Sequence, residues 1–489
     1  TLTNIIYSTF HFSSRILIYT PNRPKTNGGP NILSPLRNRK IQWKCVWDKQ
    51  REEKEMWRSL ELFGKVKAKA VSGVQLKWMS TVMCLGDGSQ GAVGSPVGLG
   101  LHAYEPTPVA TLPSDIVSVH AGHYHSLALT SHGHLWAWGR NNEAQLGRGP
   151  SSRESWHEPE RVKGLESVKV SAAFASGVVS AAVGDDGSVW VWGKSKRGQL
   201  GLGENITDAL VPTKVEALSG ENVSKISFGW GHALARTADG KLFGWGYSAD
   251  GRIGKMGNCF ETSPLESTFR NNSQLSSSDL EDAENRVLQG MEQENDMPIV
   301  WEPRLVEELR GVHVVDIACG LDHSLVLCRD GMLLSCGSNV YGQLGRAEAD
   351  LGIFPVDIGF TPIFIAAGLG HSLAICQLGE SDGSVGTTNI ASWGWNLSSQ
   401  LGRLGDGKVP SFIDALNGEN PVSVSAGRAH SLALTSKGEL WLWGSGKSGR
   451  VGWASSADQV EPFCLDSLEG FQILQAVAGF DHNLILVAG

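Results

Sequence analysis

The chain has 489 residues and a formal net charge of −8, and only 19% of its residues are charged. This balance argues against a protein that is basic overall and binds nucleic acid for that reason, but it leaves room for a local basic patch. The length predicts two domains or one large repeat architecture. No uninterrupted apolar run approaches the ~18 residues that a membrane-spanning helix needs. The eight cysteines are scattered without a C-x-x-C pair, so we expect free thiols in a reducing compartment and no metal cluster.

The first 80 residues differ in composition from the rest of the chain. Residues 1–47 contain three Lys and four Arg but no acidic residue, which is typical of an organellar transit peptide. Residues 1–55, or 56–80 if translation starts at Met56, are therefore a candidate presequence for a mitochondrion or chloroplast. The alternatives are a mistranslated upstream region, which predicts a cytoplasmic or nuclear protein, and a basic tail that binds nucleic acid.

From residue 86 onward, a turn such as "GRNNEAQLG" (139–147) recurs, running from Gly to Gly with an apolar residue before the last. Its seven copies begin at residues 86, 139, 193, 246, 337, 394 and 444. A second motif, G-x-x-H-S-L-x-L, begins at residues 122, 229, 320, 368, 427 and 479, with a degenerate copy at 176. A third, P-x-x-[VIL], begins at Pro106, Pro159, Pro212, Pro303, Pro355, Pro410 and Pro462. The successive steps indicate a unit of roughly 50 residues.

Each unit predicts four short strands, two of them joined by a glycine-containing hairpin. Four strands per ~50 residues are typical of a propeller blade. The chain ends on "GFDHNLILVAG" (479–489), and the missing half of that unit, "MCLGDGSQGAVG" (83–94), stands before the first complete unit. We therefore predict an all-β fold, a closed seven-bladed β-propeller over residues 81–489, with residues 1–80 as a non-propeller extension. The N- and C-terminal strands are expected to share one blade.

One step of 91 residues contains an insertion. Residues 259–299 include nine acidic and two basic residues and a run of serines. Such a composition cannot bury enough apolar surface to fold by itself, so a disordered acidic insertion on one face of the propeller is expected.

The stretch "GSGKSG" (444–449) resembles a phosphate-binding loop. A Walker loop would also need a glycine at position 441, where this chain has Trp441. Because the same glycines recur in every unit, we interpret them as turn residues, and no nucleotide cofactor is expected.

Six histidines occupy one position of the second motif, and the degenerate copy has Val179 there. They are His125, His232, His323, His371, His430 and His482. A ring of blades keeps equivalent positions far apart, so they cannot share a metal ion, and we predict a structural hydrogen bond for each. No Ser/His/Asp set or pair of carboxylates stands out, so no enzymatic catalysis, metal or cofactor is expected.

The residues just before these histidines vary, whereas the surrounding motif does not. They are His123, Tyr124, Trp230, Leu321, Asp322, Leu369, Arg428, Phe480 and Asp481. Because they stand at one end of equivalent strands, they should lie on one rim of the propeller. Aromatic residues and Arg are frequent in protein-binding hot spots, which predicts a partner-binding rim. The alternative is that they are solvated loop residues.

The order G-x-x-H-S-L-A-L, then [LV]-W-x-W-G, then G-Q-L-G is similar to the repeat of the regulator of chromosome condensation family, over roughly residues 82–489. This resemblance implies a seven-bladed propeller, but family members act as guanine-nucleotide exchange factors, chromatin binders, light sensors or scaffolds. The plant UV-B photoreceptor of this family carries G-W-R-H-T in three repeats. Here only Trp230 matches, and Gly231 replaces the adjacent arginine.

The sequence thus predicts a non-enzymatic propeller scaffold that binds a protein partner through one rim. The alternative is a guanine-nucleotide exchange factor for a small GTPase, which changes nucleotide affinity without covalent chemistry. A UV-B photoreceptor and a chromatin- or organellar-RNA-associated factor are less favoured, since the first needs several stacked indoles and the second rests on the basic N-terminal region alone.

Overall fold

A computed structural model describes most of the chain from residue 79 onward. The described ranges are residues 79–94, 101–149, 153–256, 298–347, 351–378, 387–453 and 455–488. The candidate presequence, apart from Met79 and Ser80, and the predicted acidic insertion, apart from Pro298 and Ile299, lie outside these residues; Ser80, predicted as the last residue of the extension, is the first residue of a propeller strand.

The described residues form 28 strands and seven short 3-10 turns. The strands are β1 Ser80–Gly86, β2 Ala103–Pro108, β3 Ile116–Ala121, β4 His125–Thr130, β5 Leu135–Gly139, β6 Glu160–Arg161, β7 Val170–Ala175, β8 Val179–Gly184, β9 Val189–Lys194, β10 Asp208–Lys214, β11 Val223–Phe228, β12 His232–Thr237, β13 Leu242–Tyr247, β14 Ile299–Leu305, β15 Val314–Cys319, β16 His323–Cys328, β17 Leu333–Gly337, β18 Phe354–Pro355, β19 Thr361–Ala367, β20 His371–Gln377, β21 Thr388–Gly394, β22 Ser411–Phe412, β23 Pro421–Ala426, β24 His430–Thr435, β25 Leu440–Gly444, β26 Gln459–Cys464, β27 Gln472–Ala478 and β28 His482–Ala488. The 3-10 turns are Arg153–Ser155, Glu216–Leu218, Ala249–Gly251, Glu307–Leu309, Asp414–Leu416, Lys447–Gly449 and Asp466–Leu468.

The strands form seven antiparallel four-stranded sheets, so the predicted all-β seven-bladed propeller is confirmed. Blades 1 to 6 each use four consecutive strands, beginning with β3–β6 and ending with β23–β26. Blade 7 combines β27 and β28 with β1 and β2. Strands β1 and β28 pair over seven residues, from Ser80 opposite Ala488 to Gly86 opposite His482. This pairing joins the N-terminal and C-terminal strands of the propeller in one sheet, as the sequence predicted.

The second strand of each blade is buried on both of its faces, with no side turned to solvent. In β4 and β24, every residue is buried, including the polar ones. Both faces of a blade are covered by its neighbours, so these strands lie inside the protein on both sides. Their polar side chains must therefore find hydrogen-bond partners in the adjacent blades.

The repeat histidines lie at the junctions between neighbouring blades. Each donates Nε2–H, over 2.7–3.0 Å, to a side chain of the next blade, in the pairs His125–Ser180, His232–Ser324, His323–Ser372, His371–Ser431, His430–Asn483 and His482–Ser126. The serine hydroxyls in turn donate to backbone carbonyls of the glycine-rich turns at 2.8–2.9 Å. At six of the seven junctions, a blade is thus bonded to the histidine of the blade before it, and at five of these its serine also bonds to that blade's turn.

Glycine precedes each histidine by three residues because the imidazole ring fills the space beside it. A Cβ on Gly320 would lie 2.1 Å from Cε1 of His323 and 2.5 Å from the carbonyl oxygen of Gly368 in the next blade. No side chain fits between these atoms, so the motif requires glycine there.

The junction between blades 2 and 3 lacks this hydrogen bond. Val179 stands where the histidine would be, and Ala233 stands where the next blade would have its serine; both are fully buried. The two polar groups are lost together, so neither leaves an unpaired partner. Ser176 occupies the position where the other copies have glycine, so a histidine at 179 needs Ser176→Gly as well. In a Ser176→Gly background, we expect Val179→His and Ala233→Ser to show a favourable coupling of about 1 kcal/mol in the free energy of unfolding, since together they restore the bond. Urea unfolding of the Ser176→Gly chain, of that chain with each substitution alone and of that chain with both measures it; strictly additive effects would contradict this interpretation.

The two ends of each blade differ in what they carry. One end has the turn between the first and second strands and the long loop between the third and fourth; we call it the loop face. The opposite end has the hairpin between the second and third strands and the connector to the next blade; we call it the connector face. The predicted acidic insertion joins β13 to β14 and therefore leaves from the loop face.

Candidate protein-binding face

The predicted rim residues all lie on the loop face, around the mouth of the central channel. The residue directly after each motif glycine is bound through its backbone to the neighbouring blade; for example, Trp230 N–H donates to the Leu321 carbonyl at 3.0 Å, and Leu321 N–H to the Leu369 carbonyl at 3.1 Å. A cavity of about 160 Å³ lies in this mouth, with His123, Leu321, Leu369 and Phe480 in its wall. These backbone hydrogen bonds therefore fix the Cα positions of the variable residues around the mouth.

Three aromatic rings from different blades stack across the mouth. The His123 ring lies 4.4 Å from Phe480 and 5.3 Å from Trp230, with interplanar angles of 24° in both cases. Gly177 leaves the room for it, since a Cβ there would lie 2.7 Å from His123 Nδ1. Burial lowers the pKa of His123 to about 4, so this row is uncharged at neutral pH.

Arg428 lies beside the aromatic row and forms an ion pair with Asp481. Its guanidinium lies 5.2 Å from the centre of the Phe480 ring, and its Nε lies 3.0 Å from Asp481 Oδ1. The same carboxylate oxygen lies 2.8 Å from Nη1 of Arg450, which is fully buried. Asp481 is thus engaged by two arginines of this chain, and only 8% of its surface is exposed.

Asp322 occupies the equivalent position in blade 4 and also faces a buried arginine. Arg252 pairs with Asp250 at 2.9 Å and lies over the Tyr247 ring at 4.7 Å. Burial raises the pKa of Asp322 to about 6, although Arg252 opposes the shift. Arg252 and Arg450 stand at the turn position where most other turns have glutamine. In each case the next blade has an aspartate directly before its repeat histidine, Asp322 after Arg252 and Asp481 after Arg450. The negative charges of Asp481 and Asp322 therefore compensate the positive charges of buried Arg450 and Arg252 at their blade junctions.

Tyr124 extends the aromatic group away from the channel. Its ring lies 5.8 Å from Phe480, and the Arg140 guanidinium lies 5.2 Å above it. Arg140 is in turn held by Glu143 at 2.6 Å.

Exposed apolar side chains on the same face were missed by the sequence-based prediction. Trp453 is 52% exposed and Leu404 80% exposed, and Leu397 is also exposed. Trp453 follows the last glycine of its turn, a position where three other turns have Arg148, Arg346 and Arg403. Arg148 and Arg403 donate hydrogen bonds to loop carbonyls, so an exposed tryptophan in this position is a departure that aligning the repeats could have revealed.

The described residues do not provide a three-ligand metal site, a membrane-spanning helix or a disulfide. Within it, no group of three His, Cys, Asp or Glu side chains is arranged to hold a metal ion. No helix among the described residues is both long and apolar enough to cross a bilayer. The six cysteines there are free thiols.

Similar proteins were found by sequence and by structure. The chain is 28% identical over 383 residues to the ultraviolet-B receptor UVR8 of Arabidopsis thaliana, covering 77% of this chain and 76% of that one. It is 26% identical over 421 residues to the human regulator of chromosome condensation, covering 83% and 90%. A crystal structure of Prp20p from Saccharomyces cerevisiae has the same fold, with a TM-score of 0.65, 23% identity, and coverage of 84% and 92%.

The match to a known family spans nearly the whole propeller, from β1 to β28. The RCC1-like domain family matches residues 81–485, and the seven blades, the closing pairing of β1 with β28 and the repeat motifs agree with that match. This chain belongs to the RCC1-like domain family.

Proposed function

We propose that this chain is a non-enzymatic scaffold that binds a protein partner through the loop face. The observation that carries the proposal is the row in which His123 and Trp230, both half-buried, stack with the buried Phe480, with Arg428 beside it. Aromatic residues and arginine supply most of the binding energy in protein interfaces, usually from the centre of the contact area. Exposed Trp453, Leu397 and Leu404 lie on the loops of blades 5 and 6 and would extend this contact.

The rigidity of the mouth favours binding. Backbone hydrogen bonds between blades hold the first residue of each variable pair, as at Phe480, whose N–H donates to the Gly122 carbonyl at 3.1 Å. Stacking restricts the rings further. A surface that is already ordered loses little conformational entropy on binding, so more of the contact energy appears as affinity.

A guanine-nucleotide exchange factor remains the second candidate. The yeast relative Prp20p has binding properties to Gsp1p and histones; for this chain, a small GTPase as partner is a hypothesis. Exchange would need only that the loop face bind the nucleotide-free GTPase more tightly than the nucleotide-bound form.

A UV-B receptor function has less support from the ring contacts. Among the described residues, Trp230 stacks on His123, Trp395 on Tyr341, and Trp453 contacts Phe463. These contacts join indoles to other rings, whereas coupled absorption needs indoles stacked on each other.

Affinity capture with the full chain tests the proposal. We expect Trp230→Ala/Arg428→Ala to bind its partner at least about tenfold more weakly, because two hot-spot side chains are removed. The matched control is Met332→Ala/Lys241→Ala, which removes one apolar and one basic side chain from hairpins of the connector face. Thermal unfolding of both variants verifies that they fold.

The same capture distinguishes the two candidates. Each bait is used with and without EDTA, which removes Mg²⁺ and thereby nucleotide from GTPases. A GTPase retained more strongly in EDTA would establish exchange activity and replace the scaffold proposal. Partners kept by the loop-face variant but lost by the control would show that the binding face is wrongly assigned.

A further inference from the structure

The connector face carries exposed apolar side chains that the proposed function does not use. The first strand of each blade borders the central channel and is called its inner strand. Near the start of every inner strand, one extra residue shifts the register of pairing with the second strand. In blades 5, 6, 7 and 1, the bulged residues are Ile363 (37% exposed), Val422 (54%), Leu474 (40%) and Val117 (48%). In blades 2 and 3, the equivalent residues are Ser171 and Ser224, and in blade 4 the equivalent Val315 is partly buried against its own core cluster.

These four blades are consecutive around the ring. The histidine bonds link blade 5 to 6 through His371 and Ser431, blade 6 to 7 through His430 and Asn483, and blade 7 to 1 through His482 and Ser126. Two exposed aromatic residues, Phe360 and Phe471, directly precede β19 and β27. We call Ile363, Val422, Leu474, Val117, Phe360 and Phe471 the apolar arc. Exposed apolar side chains that gather on neighbouring elements mark interaction surfaces more often than scattered ones do.

The connectors that border the apolar arc are acidic. Four connectors lead into its inner strands and span residues 356–360, 413–420, 465–471 and 109–115; they contain six acidic residues and no basic one. Glu419 pairs with Lys437, and Asp115 with His132. Within the described part of the chain, no ion-pair partner is found for Asp357, Asp414, Asp466 and Glu469. Their charge is therefore available to a ligand.

We propose that the apolar arc with its acidic border binds a basic segment of a partner protein, one whose apolar side chains lie on a single side and are flanked by Lys or Arg. The apolar side chains would contact Val422 and Leu474, and the basic ones would face the unpaired carboxylates. Apolar burial supplies affinity, and charge complementarity selects basic over acidic segments. The surface is on the opposite end of the blades from the loop face, so this inference does not depend on the proposed function.

Fluorescence anisotropy with the full chain tests the inference. The probe is a labelled synthetic peptide of about 18 residues, five helical turns, with leucines on one side and lysines on the other. A second peptide has glutamate in place of lysine. We expect the lysine peptide to bind at least tenfold more tightly than the glutamate peptide, with affinity that falls as salt rises.

Two variants locate the site. Val422→Ser/Leu474→Ser should weaken the lysine peptide at least tenfold, whereas Leu210→Ser/Val211→Ser, which changes two exposed apolar residues of β10, should leave it unchanged. Trp230→Ala/Arg428→Ala should also bind the peptide as the wild type does.

Three results would overturn the inference. They are equal binding of the two peptides, unchanged binding by Val422→Ser/Leu474→Ser, and self-association of the chain that this variant abolishes while no peptide binds. The last would identify a second copy of the chain as the occupant of the arc.

Discussion

The free energy of unfolding is expected to fall steeply as the pH drops from 6.5 towards 4.5. Burial lowers the pKa of His125, His323, His371 and His430 to about 3, and that of His482 to about 4. In the unfolded chain these groups take up a proton near pH 6.5. Below that pH the unfolded state binds more protons than the folded state, so acid favours unfolding.

The size of the effect follows from the number of histidines. Each contributes about 1.4 kcal/mol per pH unit while it is protonated only in the unfolded state. The five repeat histidines together approach ~7 kcal/mol per unit, and His120 and His123, whose pKa values burial also lowers to about 4, add to it. Against a typical total stability of about 5–15 kcal/mol, unfolding by about pH 5 is expected. Asp322 acts in the opposite direction, because its raised pKa makes the folded state take up a proton first as the pH falls to about 6. One group cannot offset five.

Urea unfolding at a series of pH values between 7.5 and 4.5 measures this dependence. His371→Gln is the matched variant. It should be less stable than the wild type at pH 7.5, and its free energy of unfolding should fall less steeply with acid, by about 1.4 kcal/mol per pH unit, because one proton fewer is taken up on unfolding. A stability that is constant down to pH 4.5 would mean that the histidines are not buried in their neutral form.

The second large effect is expected at the junction of blades 6 and 7. Asp481→Ala should lower the free energy of unfolding by about 3–5 kcal/mol, because it leaves the buried Arg450 guanidinium without its carboxylate. The ion pair between Arg428 and Asp481 is lost at the same time. Denaturant unfolding of the purified chain gives the value directly.

A second substitution should recover much of that loss. Arg450→Gln/Asp481→Ala reproduces the combination at the previous junction, where Gln400 is followed by Ala429 in the next blade. The double variant no longer buries an unpaired charge at position 450. If it is no more stable than Asp481→Ala alone, the ion pair is not what stabilises this junction.

The blades could be predicted from the sequence because their signals are local. Turn glycines, the G-x-x-H motif and the prolines lie within one unit, and the half-unit at each end indicated the shared blade 7. Contacts between units were harder to foresee. Asp481 was expected on a binding rim, but its carboxylate meets Arg450 of the preceding blade. Such pairs become visible in the sequence only when the copies are aligned and both substitutions are noticed together, as with Val179 and Ala233.

The apolar arc could not have been predicted from alternation of apolar and polar residues. Strand periodicity places Ile116 and Ser118 on one side and Val117 on the other, but a bulge makes Val117 an extra residue in the pairing. One inserted residue changes which side chains face the neighbouring blade and which face solvent. The loop-face residues Trp453 and Leu404 lie in irregular loops, where no periodicity indicates exposure.

Hydroxyl-radical footprinting of the full chain, alone and with its captured partner, is the most direct test of the loop face as the binding site. The rings serve as reporters: Tyr124, Trp230 and Trp453 on the loop face, Phe360 and Phe471 on the connector face. Partner binding through the loop face predicts that oxidation of the first three falls while that of the two phenylalanines is unchanged. Protection of Phe360 and Phe471 with undiminished oxidation of Tyr124 and Trp453 would contradict it.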